Sequence, residues 1–172
     1  NAIDGKYDVI MVDAYQDITI PFQMSSVEFF TLVKDHLTED GVMVVNMNMR
    51  GSGEGSINEH LADTIGSVFG EVYTVDVKGS TNRELFASDN PRMLDHLAVH
   101  REQLTDENLS AMMAVVAENL TAYEAGNYIM TDDKAPVELL GMQVIDELIR
   151  DEVSYYKAIY EEQGVWGVID AL

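Results

Sequence analysis

The chain has 172 residues, of which 31 are acidic and 10 basic, so its formal net charge is −21 at pH 7. This length allows one domain with a sizeable core and is too short for two. Ten dispersed Lys and Arg residues cannot form the basic surface that nucleic acid or an anionic membrane requires, which excludes both as partners. The absence of cysteine excludes disulfides, thiolate nucleophiles and cysteine metal sites.

The sequence carries no pattern that directs a protein to a membrane or to secretion. No apolar run approaches the ~20 residues that span a bilayer. Residues 1–6 have neither a signal-peptide nor a transit-peptide pattern. We therefore expect a soluble, cytoplasmic protein.

The first third of the chain has the pattern of a βαβ unit. Residues 7–14 (YDVIMVDA) form an apolar, β-branched run that predicts a strand buried on both faces. Ser25 and Glu28 form a capping-box pattern, which predicts that an amphipathic helix begins there. A turn at residues 39–41 closes this helix, and residues 42–47 predict a second buried strand. A right-handed crossover between two parallel strands is the expected connection.

The rest of the chain predicts a helix, a hairpin and then helices alone. Ser56 and Glu59 cap a helix that follows a glycine-rich loop. Two further strands, joined by a short turn, predict an antiparallel hairpin at a sheet edge. The helical periodicity after Asp89 predicts a helical C-terminal third, in which Trp166 and the tail dock on the domain or on a neighbour. The predicted strands lie at residues 72–77 and 84–88, the predicted helices at 92–101, 109–120 and 136–162, and the loop between the last two helices at 123–133.

The glycine-rich loop suggests one candidate site. Gly51, Gly53 and Gly55 follow a predicted strand and precede a capped helix, and Asp76 ends the next strand. This pattern imitates a nucleotide-binding fingerprint, in which glycines approach phosphate and a later acid binds ribose. Glu54 would place a carboxylate among the phosphate-binding groups, so we prefer the interpretation of a solvent loop before a helix.

The end of the first strand suggests a second candidate site. Asp13 terminates the predicted buried strand. Ligands of doubly wound sheets bind outside the carboxyl ends of the strands, so an acid at this position points into the ligand crevice. A cap of the following loop or helix is the alternative role for such an aspartate.

Residues 7–47 (YDVIMVDAYQDITIPFQMSSVEFFTLVKDHLTEDGVMVVNM) resemble the second half of the polyamine aminopropyltransferases, the spermidine synthase family. In that family a strand ending in an acid is followed by a loop, a Ser/Thr-x-x-Glu-Phe helix and a Gly-Val-Leu-Val-Val strand. The segments NRELFAS (82–88) and TDDKAPVELL (131–140) are similar to spermidine-synthase-like proteins. The resemblance extends over residues 7–140, about three quarters of the chain.

The resemblance implies an α/β fold, a Rossmann-like sheet of the S-adenosylmethionine methyltransferase type, and aminopropyl transfer from decarboxylated S-adenosylmethionine to a polyamine such as putrescine. No metal and no tightly bound cofactor is required. The alignment places the catalytic acid on Asp13, which would orient the attacking amine and accept its proton. The remaining implied contacts are the substrate-binding residues Tyr15, Gln16, Asp17, Asp132 and Asp133 and the nucleoside-binding residues Ala14, Pro21 and Asn46.

Two departures from the family pattern shape these expectations. The family's second acid, three positions after the first, falls on Gln16, and Asp17 is one place out of register. The family's nucleotide-binding segments precede the matched stretch, so residues 1–172 correspond to the C-terminal part of a longer domain. The first strand should then expose a flank, which we expect the C-terminal helices or another chain to cover, with a homodimer as the simplest assembly. A non-catalytic or regulatory fragment and an S-adenosylmethionine-dependent methyltransferase are the alternatives.

Overall fold

A five-stranded mixed sheet and five helices make up the part of the chain that the computed structural model describes, residues 4–13, 20–48, 53–80 and 82–171. The strands are β1 (Tyr7–Val12), β2 (Leu37–Asn48), β3 (Glu71–Asp76), β4 (Asn82–Ser88) and β5 (Thr121–Ala122). The helices are α1 (Val27–Asp35), α2 (Ile57–Gly66), α3 (Met93–Glu102), α4 (Glu107–Asn119) and α5 (Val137–Ala171). The order of strands in the sheet is β1-β2-β4-β3-β5.

Strand directions confirm the predicted fold class. β1 and β2 are parallel and are joined through α1, as the βαβ pattern predicts. β3 and β4 form the predicted antiparallel hairpin, and β4 pairs with β2, so the hairpin extends the sheet from β2 outward. The two-residue β5 adds a last antiparallel strand beside β3. The helical C-terminal third follows, in α3, α4 and α5.

The main core lies on one face of the sheet, beneath α1, α2 and the start of α5. Side chains alternate along β2, and Met43, Val45 and Met47 all point to this buried face. Leu85 lies opposite Val45 on β4 and is also buried. Phe30 of α1 belongs to the same cluster. Alternate side chains of these strands therefore form the core on one face of the sheet.

The start of β2 differs from the prediction. The turn expected at residues 39–41 is wrong, because β2 already begins at Leu37 and runs through these residues. The register with β1 shifts between the pairs Tyr7–Leu37 and Val9–Val42, which marks a β-bulge in β2. A Cβ atom on Gly41 would lie 2.9 Å from the Cβ of Leu37, so the bulge needs a glycine at this position.

The N-terminal cap of α1 is one residue later than predicted. Ser26, and not Ser25, accepts a hydrogen bond from the Phe29 amide at 3.2 Å. The predicted cap of α2 is confirmed, because Ser56 accepts from the Glu59 amide at 3.3 Å. Only Ser25 is followed three residues later by a Glu, so the capping-box pattern favoured Ser25, whereas the observed cap uses Ser26 without a Glu at that position.

β1 is not buried on both faces, so that prediction is wrong. β1 lies at one end of the sheet order, and Val9 and Met11 are 57% and 73% exposed. Only Val12 of this strand is fully buried. The C-terminal helices do not cover these exposed side chains. The expectation that these helices cover β1 is therefore wrong. Cover by another chain remains a prediction.

α5 is longer than predicted and extends past residue 162 to Ala171. Gly164 has φ +70°, so the helical path breaks there and a short last helix follows. Trp166 is 73% exposed, and the expectation that the tail docks on the domain is therefore wrong. Among the helices of the described residues, none is long and apolar enough to cross a membrane.

A buried carboxylate ties the C-terminal third to α2. Asp63 is 1% exposed and accepts hydrogen bonds from the Tyr123 hydroxyl at 2.6 Å, the Gly126 amide at 2.8 Å and the Tyr128 amide at 2.9 Å. The hydroxyl of the adjacent Thr64 accepts from the Met130 amide at 3.0 Å. Burial and the hydrogen bond to Asp63 raise the pKa of Tyr123, which keeps this hydroxyl a donor. The segment from Tyr123 to Met130 is thus fixed on α2.

We expect Asp63→Ala to lower the free energy of unfolding by about 3 kcal/mol, because three donors lose their acceptor in a buried place. Urea denaturation measures this change. Asp133→Ala, at an exposed position, is the control and should change stability by less than about 0.5 kcal/mol. Equal urea midpoints for the two variants would show that Asp63 does not anchor the segment.

Candidate active site

Asp13 lies at the carboxyl end of β1, directly after the last residue of the strand. Its side chain is exposed. The amide Nδ2 of Asn46, on the neighbouring β2, donates a hydrogen bond to Asp13 Oδ1 at 3.3 Å. The structure therefore brings together two residues that the sequence assigned to different roles, a catalytic acid and a nucleoside contact. An amide donor of this kind fixes the orientation of the carboxyl group.

Glu84 extends this pair across the sheet. It lies on β4 as the cross-strand partner of Asn46 and is half-buried. Burial, and then the negative charge of Asp13, raise the pKa of Glu84 above its ordinary value. We call Asp13, Asn46 and Glu84 the carboxyl-edge row, because they occupy three adjacent strands near the edge where β1 and β2 end.

The row also contains a buried acceptor. Among the described residues, Asn46 Oδ1 has no hydrogen-bond partner although it is buried. Sequence reasoning missed Glu84 as a site residue. The only signal was an acid inside the NRELFAS strand, and its nearness to Asp13 depends on the register of β4 against β2, which a single sequence does not reveal.

Asp132 lies over the N-terminus of α1. Ser26 Oγ donates to Asp132 Oδ1 at 2.5 Å, and the Asp132 amide donates to Glu28 Oε2 at 3.0 Å. The Val27 amide donates to the Met130 carbonyl at 2.9 Å, which holds the same loop on the helix. The positive end of the helix dipole stabilises a carboxylate in this position. α1 starts at the carboxyl edge of the sheet, so Asp132 lies on the same side of the molecule as Asp13.

The other predicted site residues have mixed outcomes. Asp133 is exposed. Pro21 is half-buried, and its carbonyl accepts from the Met24 amide at 2.8 Å, which starts a short 3-10 turn before α1. Four predicted residues lie outside the described residues: Ala14, Tyr15, Gln16 and Asp17. Their assignments remain predictions.

Gly53 and Glu54, in the described part of the glycine-rich loop, line a separate cavity of about 300 Å³. Glu54 and Glu59 line it beside Arg83, and the Gly55 amide donates to Glu59. Asp76, the candidate ribose acid, pairs with Arg83 at 2.6 Å instead. The Gly55 amide, a donor that a phosphate would need, is bonded to the Glu59 carboxylate, which favours the interpretation of a solvent loop.

No family model matches the chain. A probable polyamine aminopropyl transferase of Bifidobacterium longum is 50% identical over 99% of this chain and 42% of its own length. A polyamine aminopropyltransferase of Vibrio vulnificus is 24% identical over 78% of this chain and 46% of its own length. The crystal structure of a probable spermidine synthase from Corynebacterium glutamicum has 21% identity and a TM-score of 0.41, covering 72% of this chain and 49% of that one. The chain spans less than half the length of the curated relatives it matches.

We expect Asp13→Asn to lower the pKa of Glu84, because the substitution removes a negative charge that opposes ionisation of Glu84. A ¹³C NMR titration of the glutamate side-chain carboxyl groups measures the shift. Asp133→Asn removes one charge from an exposed position and is the matched control, with no change expected at Glu84. An unchanged Glu84 titration in Asp13→Asn would contradict the proximity of the two carboxyl groups.

Proposed function

We propose that this chain, a member of the polyamine aminopropyltransferase family, forms the acceptor-amine side of an aminopropyltransferase active site. One observation carries the proposal: Asp13 lies at the carboxyl end of β1, held by Asn46, with a second carboxyl group on Glu84 beside it. The chain spans less than half of its curated relatives, and the family resemblance assigns the nucleotide-binding segments to a preceding half, which the complete reaction would require.

The proposed reaction moves an aminopropyl group from decarboxylated S-adenosylmethionine to a polyamine such as putrescine. The unprotonated amine nitrogen attacks the methylene carbon next to the sulfonium, so that a C–N bond forms as the C–S bond breaks. Methylthioadenosine leaves as a neutral thioether. The substrate ammonium gives up one proton in the course of the reaction, and a carboxylate beside the nitrogen accepts it. Orientation of the two substrates supplies much of the rate, and no metal is needed.

Within this site Asp13 binds the attacking nitrogen and accepts its proton. Its exposed position at the strand end gives an amine access, and the hydrogen bond from Asn46 sets the direction of the carboxylate. A carboxylate held in one orientation loses less conformational entropy when the amine binds. Asn46 therefore acts as a positioning residue for Asp13.

In this proposal, Glu84 replaces the family's second acid as a carboxyl group that binds the substrate amine. Gln16 replaces that acid in this sequence, so the diamine lacks one expected counter-charge. Glu84, the third member of the row, supplies a carboxyl group there, and burial and the charge of Asp13 make its ionisation costly by raising its pKa. A bound ammonium reverses this cost, because opposite charges favour the ionised form. Binding of the polyamine and ionisation of Glu84 are therefore coupled.

Asp132 and Asp133 bind the distal ammonium in this proposal. Ser26 donates a hydrogen bond to Asp132 beside the N-terminus of α1, at the edge of the proposed site. Tyr15, Gln16 and Asp17 complete the amine side as the resemblance implies.

Ala14, Pro21 and Asn46 contact the nucleoside of decarboxylated S-adenosylmethionine, and the preceding half provides the rest of its pocket. The exposed flank of β1 supports this part of the proposal, because Val9 and Met11 are apolar side chains without cover among the described residues. We propose that the protein acts in the cytoplasm and as a homo-oligomer, in which another chain covers the exposed side of β1.

We expect Asp13→Asn, in the protein extended to the length of its relatives, to lower kcat for aminopropyl transfer by about 10²- to 10⁴-fold, since it removes the proton acceptor. Steady-state assays with putrescine and decarboxylated S-adenosylmethionine measure the loss. Calorimetry with methylthioadenosine is the control, and its affinity should not change. Full activity of Asp13→Asn would overturn the assignment, and wild-type transfer of a methyl group instead would favour the methyltransferase alternative.

We expect Glu84→Gln to raise KM for the polyamine by about tenfold or more, with a smaller effect on kcat, because one charge-assisted contact to the ammonium is lost. The matched control is Glu71→Gln, which alters a half-buried glutamate of the adjacent strand β3, near the opposite end of the hairpin. Equal KM values for the wild type and Glu84→Gln would remove Glu84 from the site. Nucleoside binding by the 172-residue chain alone would contradict the need for a preceding half.

A further inference from the structure

Three hydrogen bonds tie the segment that carries Asp132 to the first turn of α1. Ser26 Oγ donates to Asp132 Oδ1 at 2.5 Å, and the Asp132 amide donates to Glu28 Oε2 at 3.0 Å. The third bond joins the Val27 amide to the Met130 carbonyl at 2.9 Å. The side chain and the backbone of Asp132 are therefore both held by α1. We call Ser26 and Glu28 the α1 clamp.

The two members of the α1 clamp act on Asp132 in different ways. Ser26 is fully buried, and its Oγ accepts from the Phe29 amide at 3.2 Å while it donates to Asp132. A hydroxyl group has a single proton, so the bond to Asp132 fixes the direction of this proton. Glu28 is exposed and binds the Asp132 amide, so its contact does not depend on the Asp132 side chain.

The chain on either side of Asp132 is also attached. Before it, Asp63 accepts hydrogen bonds from donors in residues 123–128. Around it, the backbones of Thr131 and Lys134 exchange two hydrogen bonds, at 3.1 and 2.9 Å, and close a tight turn. Asp132 lies inside this turn, so the contacts of the turn with α1 determine where its carboxyl group stands.

Asp13 is a second carboxyl group with a fixed position. Asn46 donates to it at 3.3 Å, and it lies at the carboxyl edge of the sheet, where α1 begins. In the proposed function Asp13 binds the attacking nitrogen of the acceptor and Asp132 binds the distal ammonium. Two carboxyl groups that are each held in place can bind both ends of a diamine only at one separation of its nitrogen atoms.

We propose that the α1 clamp, by fixing Asp132, determines which length of α,ω-diamine the site prefers. Ser26 and Glu28 are positioning residues in this proposal, because they act on the substrate through Asp132. The inference rests on the proposed function, in which Asp132 binds the distal ammonium. Without the clamp, Asp132 can reach ammonium groups at several distances but loses more conformational entropy when it binds one. The preferred diamine then loses more affinity than longer or shorter diamines do.

The test is steady-state kinetics of the protein extended to the length of its relatives. The acceptors are putrescine and its two homologues with one methylene group fewer or more. We expect Glu28→Ala to raise KM for the preferred diamine by about fivefold with little change in kcat, and to raise KM for the other two by less than about twofold. The preference among the three diamines should therefore fall.

Three further variants control for other causes. Ser26→Ala should act in the same direction as Glu28→Ala, but it also removes the N-cap of α1, which Glu28→Ala leaves in place. Glu28→Gln keeps an oxygen that can accept from the Asp132 amide, so it should retain the wild-type KM and preference. Glu39→Ala, at an exposed position near the start of β2, is the matched control and should change neither.

Asp132→Asn separates this inference from the proposed function. We expect it to raise KM for the preferred diamine, and Glu28→Ala combined with it to raise KM no further, because the clamp then positions no carboxylate. Effects of the two substitutions that multiply would overturn the inference. So would an unchanged KM and preference in Glu28→Ala and Ser26→Ala while Asp132→Asn raises KM. If Asp132→Asn leaves KM unchanged for all three diamines, the proposed role of Asp132 itself is wrong, and the inference about the clamp fails with it.

Discussion

Burial of one carboxylate, Asp63, determines how the C-terminal third of this chain meets the sheet. A buried charge is tolerated only where donors surround it, and the Tyr123 hydroxyl and two backbone amides meet that need. These donors all belong to one segment, so satisfying Asp63 also fixes the path of that segment over α2. The path ends at Met130, which is fully buried, and delivers Asp132 to the N-terminus of α1. One local electrostatic requirement thus positions a candidate substrate-binding residue at a distance from itself.

The sequence predicted what depends on local periodicity and missed what depends on neighbours. The capped helix α2 follows from the Ser56 and Glu59 pattern, and the β3–β4 hairpin follows from two strand-like runs joined by a short turn; both are present. The exposure of β1 could not be predicted in the same way. An apolar run shows that a strand can be buried on both faces, but not whether neighbouring elements cover those faces. The bulge at Gly41 was missed for a related reason. A glycine after two acids is typical of a turn. Only the pairing of β2 with β1 shows that Gly41 lies within a strand.

The candidate site shows the same division. Asp13 was predicted because an apolar run that ends in an acid can be recognised in the sequence. Asn46 lies next to Asp13 because β1 and β2 pair in parallel. Glu84 lies 38 residues after Asn46 in the sequence. It joins the carboxyl-edge row only because β4 lies beside β2 in the strand order β1-β2-β4. With one Gln in place of an expected acid, the sequence suggested a weakened amine site. In the fold, a carboxyl group from another strand, that of Glu84, lies near Asp13. The sequence and the structure therefore differ in which residue provides the second carboxyl group of the proposed amine site.

The edge strand β1 also affects the tendency of this chain to aggregate. An edge strand with unpaired backbone groups and exposed Val9 and Met11 is a template for edge-to-edge addition of further chains, the step that begins aggregation. A net charge of −21 opposes that step by mutual repulsion between molecules. Repulsion of this kind is screened within about 10 Å at 0.1 M ionic strength, while the attraction between strand edges is not. Added salt therefore lowers the colloidal stability of this chain.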